Sequence, residues 1–255
     1  MSDHASTALE AAQAAAEIAR GYYRGNLEIS TKEDRTPVTQ ADVECERAIK
    51  AIILERFPDH GFYGEETGSE KLEAEHVWLV DPIDGTKGFV REYPFFSTQI
   101  ALMRRGRIVL GVSSAPMFEE IAWAEEGAGA WLNDAPIRTS DIHEVDRCAL
   151  STGNIGTLAG SDRWQAFGAL VGSVDRIRGY GDFYHYHLLA SGRIDAVVES
   201  DVNILDIAAL SVIVTEAGGV FTDLAGQPIG LETTSVLAAN PHLYPKLLPI
   251  FVPGT

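Results

Sequence analysis

Two carboxylates stand three residues apart in Trp78-Leu-Val-Asp81-Pro-Ile-Asp84-Gly-Thr86-Lys87. The apolar run Val77 to Val80 reads as a short buried strand, and the Pro and Gly that follow force a tight turn. Proline holds φ while Gly85 permits close backbone approach, so Asp81 and Asp84 are offered from a rigid corner toward one point. Acids beside a buried strand are costly to desolvate, and a cation held by oxygen ligands is their natural partner. An Asx-capped turn after a strand accounts for the same residues without an ion. Metal chemistry therefore needs further acids.

Three places in the chain supply candidates. Gly64-Glu65-Glu66-Thr-Gly68 presents an acidic pair at the end of a short strand. Neighbouring residues there point to opposite sides, so at most one of the pair faces Asp81, and a solvated loop explains either. Asp42 follows Thr39-Gln-Ala at the start of a helix running to about Phe57; as N-cap and third helical residue, Thr39 and Asp42 also make a capping box. Asp206 opens an apolar helix, Leu205 to Glu216, closed by Ala217-Gly218-Gly219. An acid in a first turn complements the helix dipole, yet a helix this apolar is buried, and an interior acid needs a partner.

The elements that must position these acids follow in order. Residues 5–24 predict an amphipathic helix with Leu9, Ala12, Ala16, Ile18 and Ala19 on one face. Asn26 to Val38 reads as strand and loop, either a flap in which Lys32 meets an anion or a solvated hairpin. Residues 97–103, 108–114, 120–124 and 129–132 read as a β-meander, and Pro136 to Val145 as a polar passage between two halves. Beyond it, strands at 148–151, 194–199, 220–222 and 235–239 alternate with helices at 161–171, 183–191, 205–216 and from Pro241 onward. In the 161–171 helix Trp164, Phe167 and Leu170 are expected to face inward. This order implies an α/β or α+β layered fold, as one domain over 1–255 with intimate halves at 1–140 and 141–255.

The chain has 255 residues, 45% hydrophobic and 22% charged, enough to bury a sizeable core. A net charge of −17 argues against nucleic-acid binding. No apolar run reaches the roughly 20 residues of a membrane helix, and the N-terminus lacks a signal-peptide layout; the expected location is cytoplasmic. Cys45 and Cys148 have no CxxC spacing, so neither a disulfide nor a zinc site is expected, and neither is a good nucleophile candidate.

Gly64-Glu65-Glu66, Asp81-Pro-Ile-Asp84-Gly-Thr86 and Asp206-Ile-Ala-Ala through Glu216-Ala-Gly-Gly219, in this order and spacing over nearly the whole chain, resemble the inositol monophosphatase family. The resemblance implies an αβαβα layered sandwich assembled as a homodimer, and a Mg²⁺-dependent, lithium-sensitive phosphomonoesterase using two to three ions. It makes Glu65, Asp81, Asp84 and Asp206 metal ligands together with the Ile83 carbonyl, and gives the Gly85 and Thr86 amides to phosphate oxygens. Thr86, bonded to Asp42, and Glu65 are then the residues that orient and deprotonate water. No covalent nucleophile is evident, so direct attack of water on phosphorus is expected.

For the substrate, Arg178-Gly-Tyr-Gly181-Asp182-Phe183-Tyr184, with Glu199 and with Lys87-Gly-Phe-Val-Arg91, resembles the histidinol-phosphate phosphatases of histidine biosynthesis. Histidinol carries an ammonium and an imidazole, which can donate to Asp182 and Glu199, while Arg178 orients an acid or meets substrate. Alternatively, Asp182 is the N-cap of the next helix, and Tyr184 and Tyr186 pack at a dimer interface. Leu205 stands where many relatives have Trp, and Val202-Asn-Ile departs from the usual loop, which leaves that wall of the pocket open. Inositol phosphate or a broad set of monoesters is the alternative substrate class, a 3'-phosphonucleotide a third. A catalytically silent binding subunit is the alternative of a different kind.

Overall fold

The computed structural model describes residues 1–25, 29–31 and 37–252. The larger sheet has eight strands in the spatial order Ala135–Ile137, Gly129–Leu132, Glu120–Glu125, Arg107–Ala115, Ser97–Arg104, His76–Asp84, Gly61–Gly64 and Gly68–Glu70. All neighbours are antiparallel except Gly61–Gly64, which runs parallel to His76–Asp84. The second sheet has five, ordered Arg176–Arg178, Ala149–Thr152, Ala196–Ser200, Ser235–Ala239 and Val220–Thr222. A short antiparallel pair, Ile29–Thr31 with Pro37–Thr39, stands apart. Lys32, a possible anion contact, lies outside the described residues.

The layers follow from alternation along the strands. Trp78 and Val80 pack with the helices Asp3–Tyr22 and Gln40–Arg56, whereas Val77 and Leu79 face the helix Ile204–Glu216 and its cluster. In the second sheet Val197, Val236 and Ala238 turn toward that same central helix. Ala196, Val198, Leu237 and Ala239 turn toward the outer helices Trp164–Val171 and Tyr244–Phe251. Strands buried on both faces read as continuous apolar runs, which is why 77–80 and 235–239 show no polar alternation. The result is an αβαβα stack, with Tyr184–Ala190 beside Ile204–Glu216 in the middle layer.

Local departures from the sequence reading have physical causes. The buried stripe of the first helix is alanine (Ala5, Ala8, Ala11, Ala12, Ala15), while Leu9 and Ile18 are only partly covered, because small side chains let it lie close to the second helix. The strand expected to stop at Val80 continues to Asp84, with its register against Ser97–Arg104 shifting between Asp81 and Asp84. Pro82 cannot donate to the ladder, and its carbonyl is held instead by the Thr98 hydroxyl at 2.9 Å. In the presumed passage, Ala135–Ile137 adds an edge strand, a position that tolerates Pro136. The helix expected over 161–171 begins only at Trp164 and runs to Val171, with a separate short helix, Gly156–Ala159, before it. Trp164 is its first residue and stays 42% exposed, resting on Phe167.

Outside the first layer, His60 stacks between Phe57 at 4.8 Å and His76 at 4.7 Å, with His4 at 5.4 Å. The Trp78 indole N–H donates to His60 Nδ1 at 3.1 Å, a bond that requires that nitrogen unprotonated. Burial, then the neighbouring His76 and His4, push His60 down from 6.5 to about 4, with Asp59 opposing. The folded chain thus binds this proton less readily than the unfolded chain, so the contribution of His60 to stability is lost as pH falls from about 6.5 toward 4. We expect urea midpoints to decline more steeply over that range in the wild type than in His60→Gln. Parallel declines would show that the ring titrates freely.

Candidate active site

The corner after the strand His76–Asp84 brings the acids together. One carboxylate oxygen from each of Asp81, Asp84 and Asp206 lies within 4.8 Å of the others. Asp81 is held well above the usual carboxylate range, first by burial and then by the charges of Glu65, Asp84 and Asp206. Asp84 is raised likewise by burial and by Asp182, Asp206 and Glu199. Burial lifts Asp206 to about 7, opposed by a bond from the Asn203 backbone and reinforced by Glu65 and Glu199. Like charges driven together in a poorly solvated place call for a cation. The donor set is all oxygen, which suits a hard divalent ion; Glu65, Asp81, Asp84 and Asp206 would hold it.

Each acid is aimed by a local device, and several of these also satisfy the structural alternative. Asp81 Oδ1 accepts from the Ile83 N–H at 3.0 Å, the Asx turn of the plain reading. Asp84 Oδ2 accepts from Ser97 Oγ at 3.3 Å, and Ser97 is itself held by Gln99 Nε2 at 2.7 Å. Asp206 accepts from the Asn203 backbone N–H at 2.9 Å and from its Nδ2 at 2.7 Å, a capping box that leaves the acid at the mouth of an apolar helix. Asp42 does two jobs with two oxygens. Its Oδ2 accepts from the Thr39 N–H at 2.8 Å and hydroxyl at 2.6 Å, while Oδ1 accepts from the Thr86 hydroxyl at 3.2 Å. The Thr86 hydroxyl also faces the Ile83 carbonyl at 3.0 Å.

Gly85 has φ +88°, and a Cβ there would stand 2.6 Å from the Phe95 carbonyl, so the turn into the helix Thr86–Val90 needs glycine. Gly85, Thr86 and Lys87 line a cleft of about 460 Å³ with the four acids. Gly181, Asp182 and Asn154 line it from the second sheet's side. Gly181 and Asp182 both have positive φ, +71° and +44°. The following helix starts at Tyr184 with Phe183 as its N-cap, so the N-cap reading of Asp182 does not hold. Strain at a cleft residue of this kind is commonly a feature of sites. Burial and then Glu199 raise Asp182 to about 6, with His185 and Lys87 pulling the other way.

Two expected substrate contacts are placed differently. Glu199 is 3% exposed; its Oε1 accepts from the Asn154 N–H at 3.1 Å and its Oε2 from the Tyr186 hydroxyl at 2.8 Å. It also faces His185 Nε2 at 3.2 Å. Glu199 therefore lies behind the cleft wall, where it adds charge to Asp182. Tyr186, bonded to it in the interior, is not an interface residue. Arg178 is exposed and donates to the Ile177 carbonyl at 2.7 Å, so it is not brought to the cleft. Both cysteines are free and buried, their thiols pushed by burial to about 12, and neither is a nucleophile.

Sequence reasoning missed Lys87 in the cleft and Glu46 beneath it. The fully buried Glu46 accepts from the Glu66 N–H at 2.7 Å and the Thr67 N–H at 2.6 Å, fixing the loop that carries Glu65. A Cβ on Gly64 would stand 2.5 Å from that carboxylate. An acid one turn after Asp42 on the same helix was the available signal.

Comparison with known proteins settles the family. The model of the "Inositol monophosphatase family" matches residues 1–253. The chain belongs to that family. It is 37% identical over 228 residues to the histidinol-phosphatase of Mycobacterium tuberculosis, covering 88% of this chain and 87% of the relative. It is 34% identical over 222 residues to the inositol-1-monophosphatase of Rhizobium meliloti, covering 86% and 84%. The crystal structure of the extragenic suppressor protein suhB from Bartonella henselae superposes with a TM-score of 0.91 at 32% identity, covering all of both chains. The protein is thus a metal-dependent phosphoric monoester hydrolase on the αβαβα fold of this family.

Glu46→Gln leaves one of the two loop amides without its acceptor. An outer-shell partner of this kind is worth roughly 10–100-fold. Turnover is expected to fall by about tenfold with the far-UV spectrum unchanged; full activity would mean that the loop is positioned without Glu46.

Proposed function

We propose that the protein hydrolyses L-histidinol phosphate to L-histidinol and phosphate, with Mg²⁺ as its ion and two to three ions in the site. Asp182 carries this reading. It stands at the cleft wall, raised by burial and by Glu199 behind it, so a substrate that brings its own positive charge relieves a repulsion that a neutral polyol does not. The ammonium of histidinol is such a group and donates to carboxylates. The histidinol-phosphatase name carried by similar proteins supports the same choice.

The chain's own groups divide the remaining labour. The amides of Gly85 and Thr86, at the start of a helix, have no partner in that helix's first turn and suit phosphate oxygens. Thr86 has one proton and two acceptors. When that proton goes to Asp42, the Thr86 oxygen presents lone pairs that orient a water. Glu65, carried on the loop pinned by Glu46, takes the proton that water loses. Divalent cations, when bound, supply neutralisation of the phosphate dianion and acidify water.

The inositol-1-monophosphatase relatives favour a second reading, in which the same machinery takes a polyol phosphate. Phosphate release from histidinol phosphate, inositol 1-phosphate and a 3'-phosphonucleotide at equal concentration separates them. Histidinol phosphate is expected to be preferred, with the preference lost in Asp182→Ala while residual activity on the polyol ester remains. A wild-type preference for inositol phosphate would discard the histidinol assignment and keep the hydrolase. Family resemblance further supports a cytoplasmic homodimer inhibited by lithium, checked by light scattering and by Li⁺ titration.

Asp84→Asn tests the ion-binding reading. Activity should fall by more than the roughly 10–100-fold typical of outer-shell changes, while the chelator-treated variant unfolds at higher temperature than chelator-treated wild type, because one member of a repelling cluster is gone. Near-normal turnover would remove Asp84 from the ligand set.

A further inference from the structure

A second group of metal-competent side chains lies away from the cleft. Asp141 and His143 sit in the segment that leaves the larger sheet, and His242 in the turn after the strand Ser235–Ala239. Asp141 Oδ1 is 3.3 Å from His143 Nε2 and 3.0 Å from His242 Nε2. The two imidazoles stack with centroids 3.8 Å apart and planes inclined by 16°. One ligand atom from each of the three residues lies within 4.8 Å of the others. None of the three lines the cleft.

Without an ion, two stacked rings converge on a single carboxylate oxygen through the same nitrogen, each needing its Nε2 proton there. Ligands about 2.0–2.1 Å from a tetrahedral ion are about 3.3 Å from one another. The observed separations of 3.0 and 3.3 Å from the carboxylate oxygen are of that size. One ion in place of two protons satisfies all three groups.

The scaffold is held before any ion arrives. The fully buried Asn240 donates through Nδ2 to Ser140 Oγ and to the Ile142 carbonyl, both at 2.9 Å, on either side of Asp141. Its Oδ1 accepts from the His242 N–H at 3.0 Å and the Leu243 N–H at 2.8 Å. Lys246 donates to the His143 carbonyl at 2.7 Å. One buried side chain thus fixes both backbones that carry the triad, and the ion orders only side chains.

We propose that Asp141, His143 and His242 form a binding site for one borderline divalent transition ion of the Zn²⁺, Co²⁺ or Ni²⁺ type. Two imidazoles and one carboxylate prefer such an ion over Mg²⁺. The site closes a loop of about a hundred residues and ties the segment between the sheets to the base of the helix Tyr244–Phe251. Its role is to stabilise that junction, since the reacting groups are elsewhere.

The test titrates chelator-treated protein with Co²⁺ and Zn²⁺ in excess Mg²⁺, which occupies the carboxylate cleft. The expected result is one equivalent of Co²⁺ with the visible absorption of nitrogen ligation, and a Zn²⁺-dependent rise of several degrees in the unfolding midpoint. Binding should weaken at least tenfold in His143→Ala and in His242→Ala. Both variants should keep wild-type hydrolysis in Mg²⁺, because neither residue touches the cleft. Unchanged stoichiometry and unfolding shift in His242→Ala would overturn the proposal by placing the transition ion in the cleft. So would the absence of any Co²⁺ binding above the Mg²⁺ background.

Discussion

Mutual repulsion among buried carboxylates is the constraint on which the molecule is arranged. Asp81, Asp84 and Asp206 come within 4.8 Å at the ends of apolar elements, where each additional charge is opposed by poor solvation. Isolated, such a cluster would protonate or splay apart. It is held by pieces that are stable for other reasons: a strand buried on both faces, a bulge at Pro82, and two capping boxes that fix Asp42 and Asp206. The repulsion that destabilises the ion-free chain is the source of affinity for a cation.

The helix Ile204–Glu216 joins the two halves of that arrangement. It is apolar all round because it packs against both sheets, and its first turn delivers Asp206 between them. Asn203 secures the acid through both its backbone and its carboxamide. A change in how the sheets sit on this helix would move Asp206 relative to Asp81 and Asp84, so the packing of the middle layer sets the geometry of the site.

The proposed recognition wall lies on the opposite side of the cleft. Asp182 is presented by a strained turn, and behind it Glu199 is locked by Asn154, Tyr186 and His185. A buried, hydrogen-bonded acid of this kind works through its charge on the residue in front of it. Under the proposed function, that division separates the acidic corner around Asp81 from the wall formed by Asp182.

The acidic corner was legible in the linear sequence because its signals are local. Asp81 and Asp84 share one turn, Gly85 marks a left-handed residue, and an acid opening an apolar helix announces a buried charge. The layered fold was legible too, since strands buried on both faces read as unbroken apolar runs. What the sequence could not decide were directions and distances across elements far apart in the chain. Asp42 could be read as a cap or as a site residue, and its two oxygens serve the cap and the Thr86 hydroxyl. Glu199 and Arg178 sat in suggestive motifs, yet the first is turned into a buried network and the second out to its own strand. Glu46 carried no motif and Lys87 was quoted only as part of one, and their importance comes from which loop amides and which cleft lie beside them. Residue type and spacing therefore determined the chemistry on offer, whereas packing of the helix and the two sheets decided which side chains reach it, because reach depends on contacts between segments that the chain brings together only when folded.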